Sequence, residues 1–240
     1  MVYAPLLNRC TTVIYEGKPV GTPDESNFWR TIERHSVNAL FTAPTAIRVL
    51  KRADPQGQLP INFNLSSLRT LFLAGERADT ATIQWAEKTL KIPVRDNWWQ
   101  TETGWPMCAN MMGVDGCIPV KYGSVYRAIP GYDIQALDAD NHPVPSGTLG
   151  TLAIRLPLPP GSLLTIYDND QRFLSSYLNA IPGFYDTGDA GIIDDDGYVH
   201  VMSRTDDIIN CSGHRLSCGA MEEVQYSTCF IFCHLFTNFD

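Results

Sequence analysis

Leu68-Arg69-Thr70-Leu71-Phe72-Leu73-Ala74-Gly75-Glu76-Arg77, followed by Thr80 to Leu90 and Ile92-Pro93-Val94-Arg95-Asp96, decides the fold class. Leu68 to Ala74 reads as a nearly continuous apolar strand, stopped by Gly75-Glu76. Thr80 to Leu90 reads as a helix and Ile92 to Asp96 as strand again. Strand, helix and strand in succession predict an α/β unit with a largely parallel sheet. Open sheets of this kind place ligands beyond the carboxyl ends of their strands. The two sharpest polar features, Gly75-Glu76-Arg77 and Asp96 to Gly104, both follow predicted strands.

Upstream, the alternation continues. Asn8 to Tyr15 is β-branched and strand-like and ends at Glu16-Gly17. Pro23-Asp24 opens a helix with Phe28, Trp29, Ile32 and His35 on one face. Asn38 to Thr42 reads as a short buried strand. Pro44 suits a first helical position, with Ala46, Val49, Leu50 and Ala53 as the apolar stripe behind it. Gln56 to Leu59 is a loop.

Downstream of about Asn110 the pattern changes. Tyr132 to Leu137, a turn at Asp138-Ala139-Asp140-Asn141, and Gly150 to Arg155 read as antiparallel structure. So do Gly191 to Ile193, Asp194-Asp195-Asp196-Gly197, and Tyr198 to Met202. The acidic triplet is read as a hairpin turn rather than a metal site. This half is expected to be a small β-barrel or distorted sheet packed on the α/β unit.

Composition bounds the function. The chain has 240 residues, 44% of them hydrophobic and 18% charged, which suits a soluble globular protein. A net charge of -8 argues against broad nucleic-acid binding, which needs a basic surface. No segment is long enough to span a bilayer. The seven cysteines form no regular framework and read as reduced thiols. Cys229-x-x-x-Cys233-His234 lacks a second ligand pair at zinc spacing and reads as apolar tail.

A nucleotide site needs backbone flat against a base, a carboxylate for ribose hydroxyls, hydroxyl and cationic donors for phosphate, and a carboxylate for Mg²⁺. Gly75-Glu76-Arg77 offers close backbone approach. Asp189 offers the ribose carboxylate, Thr101 and Glu102 serve phosphate and metal, and Arg204 and Arg215 supply positive charge. None of these is specific alone. A Trp98-Trp99 pair, for instance, is more often core than a substrate wall.

The ordered set is specific. Phe41-Thr42-Ala43-Pro44-Thr45-Ala46-Ile47-Arg48, Gly75-Glu76-Arg77, Asp96-Asn97-Trp98-Trp99-Gln100-Thr101-Glu102-Thr103-Gly104, Tyr185-Asp186-Thr187-Gly188-Asp189, and Ser203 to Asn210 running into Gly213-His214-Arg215 resemble the short-chain acyl-CoA synthetases. These are the acetyl/propionyl-CoA synthetases of the adenylate-forming superfamily. The resemblance covers roughly Tyr3 to Glu223 and is strongest to the mitochondrial, propionate-preferring branch.

The resemblance implies a reaction in which a short carboxylic acid (propionate or acetate) joins ATP to give an acyl-adenylate. Coenzyme A then displaces AMP. It implies that Gly75, Glu76 and Arg77 line the adenine. Asp96, Asn97, Trp98, Trp99, Gln100 and Thr101 line the nucleotide side, and Glu102 holds Mg²⁺. Asp189 and Arg204 take the ribose, and Arg215 contacts phosphate. Thr101, Glu102 and Arg215 are thus the expected catalytic residues. Thr42, Ser212 and Gly213 belong to the coenzyme A path, and Asp206 is the hinge between large and small domains. Thr42, Ala74 and Trp99 form the acyl pocket, in which Ala74, smaller than the valine of acetate-preferring relatives, favours propionate.

The expected division is a partial α/β adenylate-binding subdomain over 1–112, a β-barrel-like subdomain over 113–204, and a hinge with a truncated lid over 205–240. The family's phosphate loop precedes Met1 in this comparison, and Val224 to Asp240 departs from the family pattern. The expectation is therefore a fragment of the large domain, inactive alone. The alternatives are a non-catalytic AMP- or acyl-adenylate-binding or protein-interaction fragment, or a poorly folded one. The family relative implies the mitochondrial matrix, whereas the absence of a transit peptide points to the cytosol.

Overall fold

The structure, a computed structural model, describes residues 3–21, 23–111, 113 and 119–205, with the backbone alone of 208–211 and 214–217. The chain folds as two units, Met1–Leu73 with Thr80–Val94, and Ala74–Asp79 with Arg95–Asp240.

The first unit holds α1 (Tyr3–Leu7), α2 (Asn27–His35), β1 (Ala39–Thr42), α3 (Pro44–Ala53), β2 (Thr70–Leu73) and α4 (Thr80–Leu90). β1 pairs with β2 in parallel, Leu40 opposite Leu71 and Phe41 opposite Phe72. Val94 starts β3 (Val94–Asp96), which extends the sheet in the order β1-β2-β3. α2 buries Phe28, Trp29 and Ile32, one stripe of a 3.6-residue period. It ends where Ser36 turns left-handed (φ 48°) and returns its N–H to Glu33 O and Ile32 O. α3 starts on Pro44, whose missing N–H has no partner to lose there.

Four local expectations are corrected. Asn8 to Tyr15 forms no strand; β-branched residues favour extended backbone, but a strand also needs a ladder partner, and none pairs with it among the described residues. α2 begins at Asn27 rather than at Pro23-Asp24, because the Asp24 carboxylate accepts the Ser26 N–H (2.8 Å) and pairs with Arg30 (2.7 Å), which holds the preceding turn. β1 is partly exposed rather than buried. α3 buries Pro44, Ile47 and Leu50, so of the expected stripe Ala46, Val49, Leu50 and Ala53 only Leu50 is buried. The larger side chains take the core because they remove more apolar area from water.

The second unit is antiparallel. β4 (Trp98–Trp99), β5 (Pro106–Ala109) and β6 (Arg127–Ala128) form one sheet among the described residues. β7 (Ile134–Leu137), β8 (Gly150–Arg155), β9 (Phe184–Ile193) and β10 (Val199–Arg204) form another, ordered β10-β9-β8-β7. The Val125 N–H donates to Val199 O (2.9 Å) and the Val199 N–H to Tyr126 O (2.8 Å), which joins the two sheets. Trp98, Met107, Leu152, Ile154, Tyr185 and Val199 share one buried core. Between β8 and β9 the chain forms α5 (Asp170–Phe173), which widens into a π turn over Leu174–Leu178. β11 (Ile208–Cys211) and β12 (His214–Ser217) make a short hairpin.

The acidic triplet is a turn. The Asp194 carboxylate accepts the backbone N–H of Asp196 and of Tyr198, each at 3.0 Å, and closes the β9–β10 hairpin. Lys121 ion-pairs with the same carboxylate, and His200 Nε2 hydrogen-bonds it at 3.2 Å. No helix among the described residues is long and apolar enough to cross a membrane.

Candidate active site

The site grows from an irregularity in β9. Opposite β8 the register slips between Leu152 and Ala153, so Thr187 and Gly188 bulge out of the ladder. Gly188 takes φ +64°, a conformation that L side chains rarely adopt. The bulge is pinned from inside. The Asp186 carboxylate accepts the Gly188 N–H (2.8 Å), and the Thr187 hydroxyl donates to Leu152 O and accepts the Asp189 N–H (3.1 Å). The result presents Asp189, only 7% exposed, to three donors.

Trp98 Nε1 donates to Asp189 Oδ2 at 3.0 Å and Gln100 Nε2 donates to the same oxygen at 2.8 Å. Arg204 Nη1 reaches Asp189 Oδ1 at 3.4 Å and Thr187 O at 2.9 Å. Burial pushes the Asp189 carboxyl above the usual range, while Arg204, Trp98 and Gln100 act to lower it. Gln100 is the junction of the site: its Nε2 also donates to Thr187 O (2.6 Å), and its Oε1 accepts the Tyr185 hydroxyl (3.0 Å).

Gln100-Thr101-Glu102-Thr103-Gly104 folds back on itself. The buried Thr103 hydroxyl accepts the Gln100 N–H (3.1 Å), and the Gly104 N–H bonds Gln100 O and Thr101 O, each at 3.2 Å. Thr101 and Glu102 are thereby held at the apex. Glu102 Oε1 accepts the Tyr177 hydroxyl at 2.7 Å, and Glu102 O accepts the Leu163 N–H at 2.7 Å. Tyr177 stacks on Tyr185 with ring centroids 5.5 Å apart and planes at 3°.

Part of this network lines a cavity of about 330 Å³, and Asp189 stands behind that lining, bonded to the cavity-lining Gln100 and Arg204. Of the residues singled out from sequence, Gly75, Trp99, Gln100, Thr101, Glu102 and Arg204 line it, joined by Tyr177 and Thr187. Gly75 adopts φ +100°, and a Cβ built there meets no atom within 4 Å, so the backbone stands open at that wall. The two tryptophans divide: Trp98 is in the core at 7% exposure, and Trp99 lines the cavity. Successive residues of a strand face opposite sides, and the register shift between them sharpens the split.

Other candidates sit elsewhere. Asp96, Asn97 and Ala74 are buried, Glu76 is exposed and Arg77 half-buried, and none of the five lines the cavity. Burial lifts the Asp96 carboxyl to about 8, against bonds from the Asn97 and Ala78 N–H groups. Thr42 ends β1 in the first unit. Asp206, Ser212 and Gly213 lie outside the described residues, and so do Cys229, Cys233 and the 224–240 tail. Arg215 pairs with Asn210 in β12, its side chain outside the described atoms.

Sequence reasoning singled out neither Tyr177, Tyr185 nor Thr187 as a site residue. Tyr185 and Thr187 stand inside a quoted motif, so position alone signalled them. Tyr177 lies in a π turn that no periodicity announces, although such turns recur at functional sites.

Comparison with known proteins gives the family. The family model described as AMP-binding enzyme matches residues 1–160. The chain is 52% identical over 223 residues to an uncharacterized protein of Pseudomonas aeruginosa, covering 93% of this chain and 35% of that protein. It is 46% identical over 221 residues to the Homo sapiens mitochondrial acyl-CoA synthetase short-chain family member 3, covering 92% of this chain and 32% of that protein. It is 44% identical over 225 residues to a propionate–CoA ligase of Salmonella typhimurium, covering 93% of this chain and 35% of the ligase. The crystal structure of an anthranilate CoA ligase in complex with anthranoyl-AMP shares the fold, with a TM-score of 0.69 at 22% identity, over 87% of this chain and 37% of that one. The chain spans about a third of the length of the curated relatives it matches. It belongs to the family of AMP-binding enzymes.

Proposed function

We propose that this chain carries the nucleotide-binding part of an ATP-dependent short-chain acyl-CoA synthetase. Such an enzyme joins propionate or acetate to coenzyme A through an acyl-adenylate and releases AMP and pyrophosphate. The observation that carries the reading is that Thr101, Glu102 and Arg204 line one cavity, with Arg204 Nη1 3.4 Å from the Asp189 carboxylate. Those are the groups that phosphate and ribose require.

In this reading the Asp189 carboxylate accepts ribose hydroxyls, and Trp98, Gln100 and Arg204 hold it in place. Gly75 gives the base an open backbone wall, and Glu76, Arg77, Asp96 and Asn97 are proposed for the nucleotide side from beyond the cavity lining. Thr101 donates to the α-phosphate. Mg²⁺ is commonly held by one or two carboxylates together with substrate phosphates, and one cavity-lining carboxylate, Glu102, meets that need. The ion would neutralise charge on the phosphate oxygens there. Thr42, Ala74 and Trp99 are proposed for the acyl group, with propionate preferred. Thr42, Ser212 and Gly213 are proposed for coenzyme A, Arg215 for phosphate, and Asp206 as the hinge. A mitochondrial matrix setting is proposed from relatives named mitochondrial.

Calorimetry with AMP and the full chain tests the site; Asp189→Ala is expected to abolish the binding heat, and equal affinity would refute the assignment. Pyrophosphate release from ATP, Mg²⁺ and propionate tests the reaction. AMP binding without pyrophosphate release supports the second reading, a non-catalytic AMP- or acyl-adenylate-binding chain.

A further inference from the structure

We infer that Tyr177 is a positioning residue that holds the Glu102 carboxylate in the orientation needed for a divalent cation. The inference rests on the proposed role of Glu102 as the cation carboxylate.

The geometry around Tyr177 is built in steps. Asn169 caps α5 by accepting the Arg172 N–H at 3.0 Å, and Phe173 anchors the helix at 8% exposure. The backbone then widens into the π turn that carries Tyr177. The ring is held from two sides. Phe173 packs at a tilt with centroids 5.8 Å apart, and Tyr185, fully buried on β9, stacks parallel at 5.5 Å. The hydroxyl of a ring held in this way has a fixed position, and that position is 2.7 Å from Glu102 Oε1.

Glu102 needs such a partner. It sits at the apex of a tight turn, half-buried on a cavity wall, on a side chain with three rotatable bonds. Carboxylates that ligate metals are oriented by hydrogen bonds from behind, and loss of that outer partner typically weakens metal affinity 10–100-fold. The same stack continues through Tyr185 to Gln100 and Asp189, so the ring pair links the Glu102 carboxylate to the Asp189 carboxylate.

The experiment is calorimetry of ATP binding to the full chain, in EDTA and in saturating Mg²⁺, with Mn²⁺ binding followed by electron paramagnetic resonance. For the unsubstituted chain, Mg²⁺ is expected to tighten ATP binding. Tyr177→Phe keeps the ring and removes the hydroxyl. It is expected to lose at least fivefold of that Mg²⁺-dependent gain and to weaken Mn²⁺ binding, with metal-free ATP affinity within twofold. Glu102→Gln is expected to lose the same gain, and the double variant no more than Glu102→Gln alone. If Tyr177→Phe lowers the Tm, the gain is read well below the lowered Tm, with metal-free ATP affinity as the measure that the site is folded. A wild-type gain in Tyr177→Phe, with loss in Glu102→Gln, overturns the inference alone. A wild-type gain in Glu102→Gln, or no nucleotide affinity in any form, overturns the site reading and the inference with it.

Discussion

Arg204 lies directly against the backbone of Gly188: a Cβ on Gly188 would stand 2.6 Å from Arg204 Nη2. The glycine is required twice over, once for its left-handed φ of +64° and once for the space the guanidinium occupies. Thr205 closes the arrangement by donating its hydroxyl to Gly188 O at 3.1 Å. The cation beside Asp189 is thus placed by the absence of a side chain.

Gly188→Ala should therefore displace Arg204 and strain the bulge. A left-handed alanine costs about 1–2 kcal/mol. The expected result is that loss in chemical denaturation, together with an AMP affinity lowered about tenfold through the displaced charge-assisted bonds. Unchanged AMP affinity alongside the stability loss would separate Arg204 from nucleotide binding.

Asp189→Ala leaves the buried Trp98 N–H without its acceptor. An unsatisfied buried donor costs about 1–3 kcal/mol, and denaturant titration should show a loss of that size. Asp189→Asn retains an acceptor and should lose less stability. Both should bind AMP weakly, because charge-assisted bonds are roughly twice as strong as neutral ones.

Asp96 couples folding to pH. Its carboxyl is lifted from 3.8 to about 8 by burial, so the native chain keeps a proton that the unfolded chain has released. The stability this confers is complete below pH 3.8 and is lost as pH rises through 8. The Tm of the chain should therefore fall between pH 5 and 8, and Asp96→Asn should flatten that fall. A residual slope is expected from Asp189, which is raised in the same direction.

Asp194 acts with the opposite sign. Burial would raise its carboxyl, but bonds from Lys121, the Tyr198 N–H and His200 outweigh it and hold the group at about 2. Its contribution is present above pH 3.8 and lost as pH falls through 2. Asp194→Asn should lower the Tm at neutral pH and shrink the further drop between pH 4 and 2. A parallel pH profile would show that the hairpin does not report on this carboxylate.

Ala74→Val tests the acyl proposal. Ala74 is 4% exposed and immediately precedes Gly75, so two added methyl groups must be accommodated beside that wall. One methylene in a fitted pocket is worth about 1–3 kcal/mol. Non-hydrolysable propionyl- and acetyl-adenylate analogues should bind the unsubstituted chain in favour of propionyl, and Ala74→Val should reverse or erase that preference. An unchanged ratio removes Ala74 from the acyl pocket.

Much of the architecture was legible residue by residue. The period of Thr80 to Leu90 placed α4 at those bounds, Gly150 to Arg155 placed β8, and Pro44 placed the start of α3. Turn chemistry placed the Asp194 to Gly197 hairpin. These are signals carried within a few residues, where φ preference and side-chain reach act directly on the neighbouring backbone. Asn8 to Tyr15 shows the limit: its propensity was extended, but propensity supplies no ladder partner.

The sequence by itself determined the strand-helix-strand run from Leu68 to Asp96, the hairpins downstream of Tyr132, and the family-like blocks from Phe41 to Arg215. It did not determine which members of those blocks face one another. Trp98 and Asp189 are 91 positions apart and bond at 3.0 Å, and Tyr177 and Glu102 are 75 positions apart and bond at 2.7 Å. Only the tertiary structure decided that Trp98 belongs to the core and Trp99 to the cavity, and that a tyrosine pair links Glu102 to Asp189. The reason is physical. Secondary structure is set by neighbours along the chain, whereas a buried carboxylate finds its donors through the packing of strands that are distant in sequence.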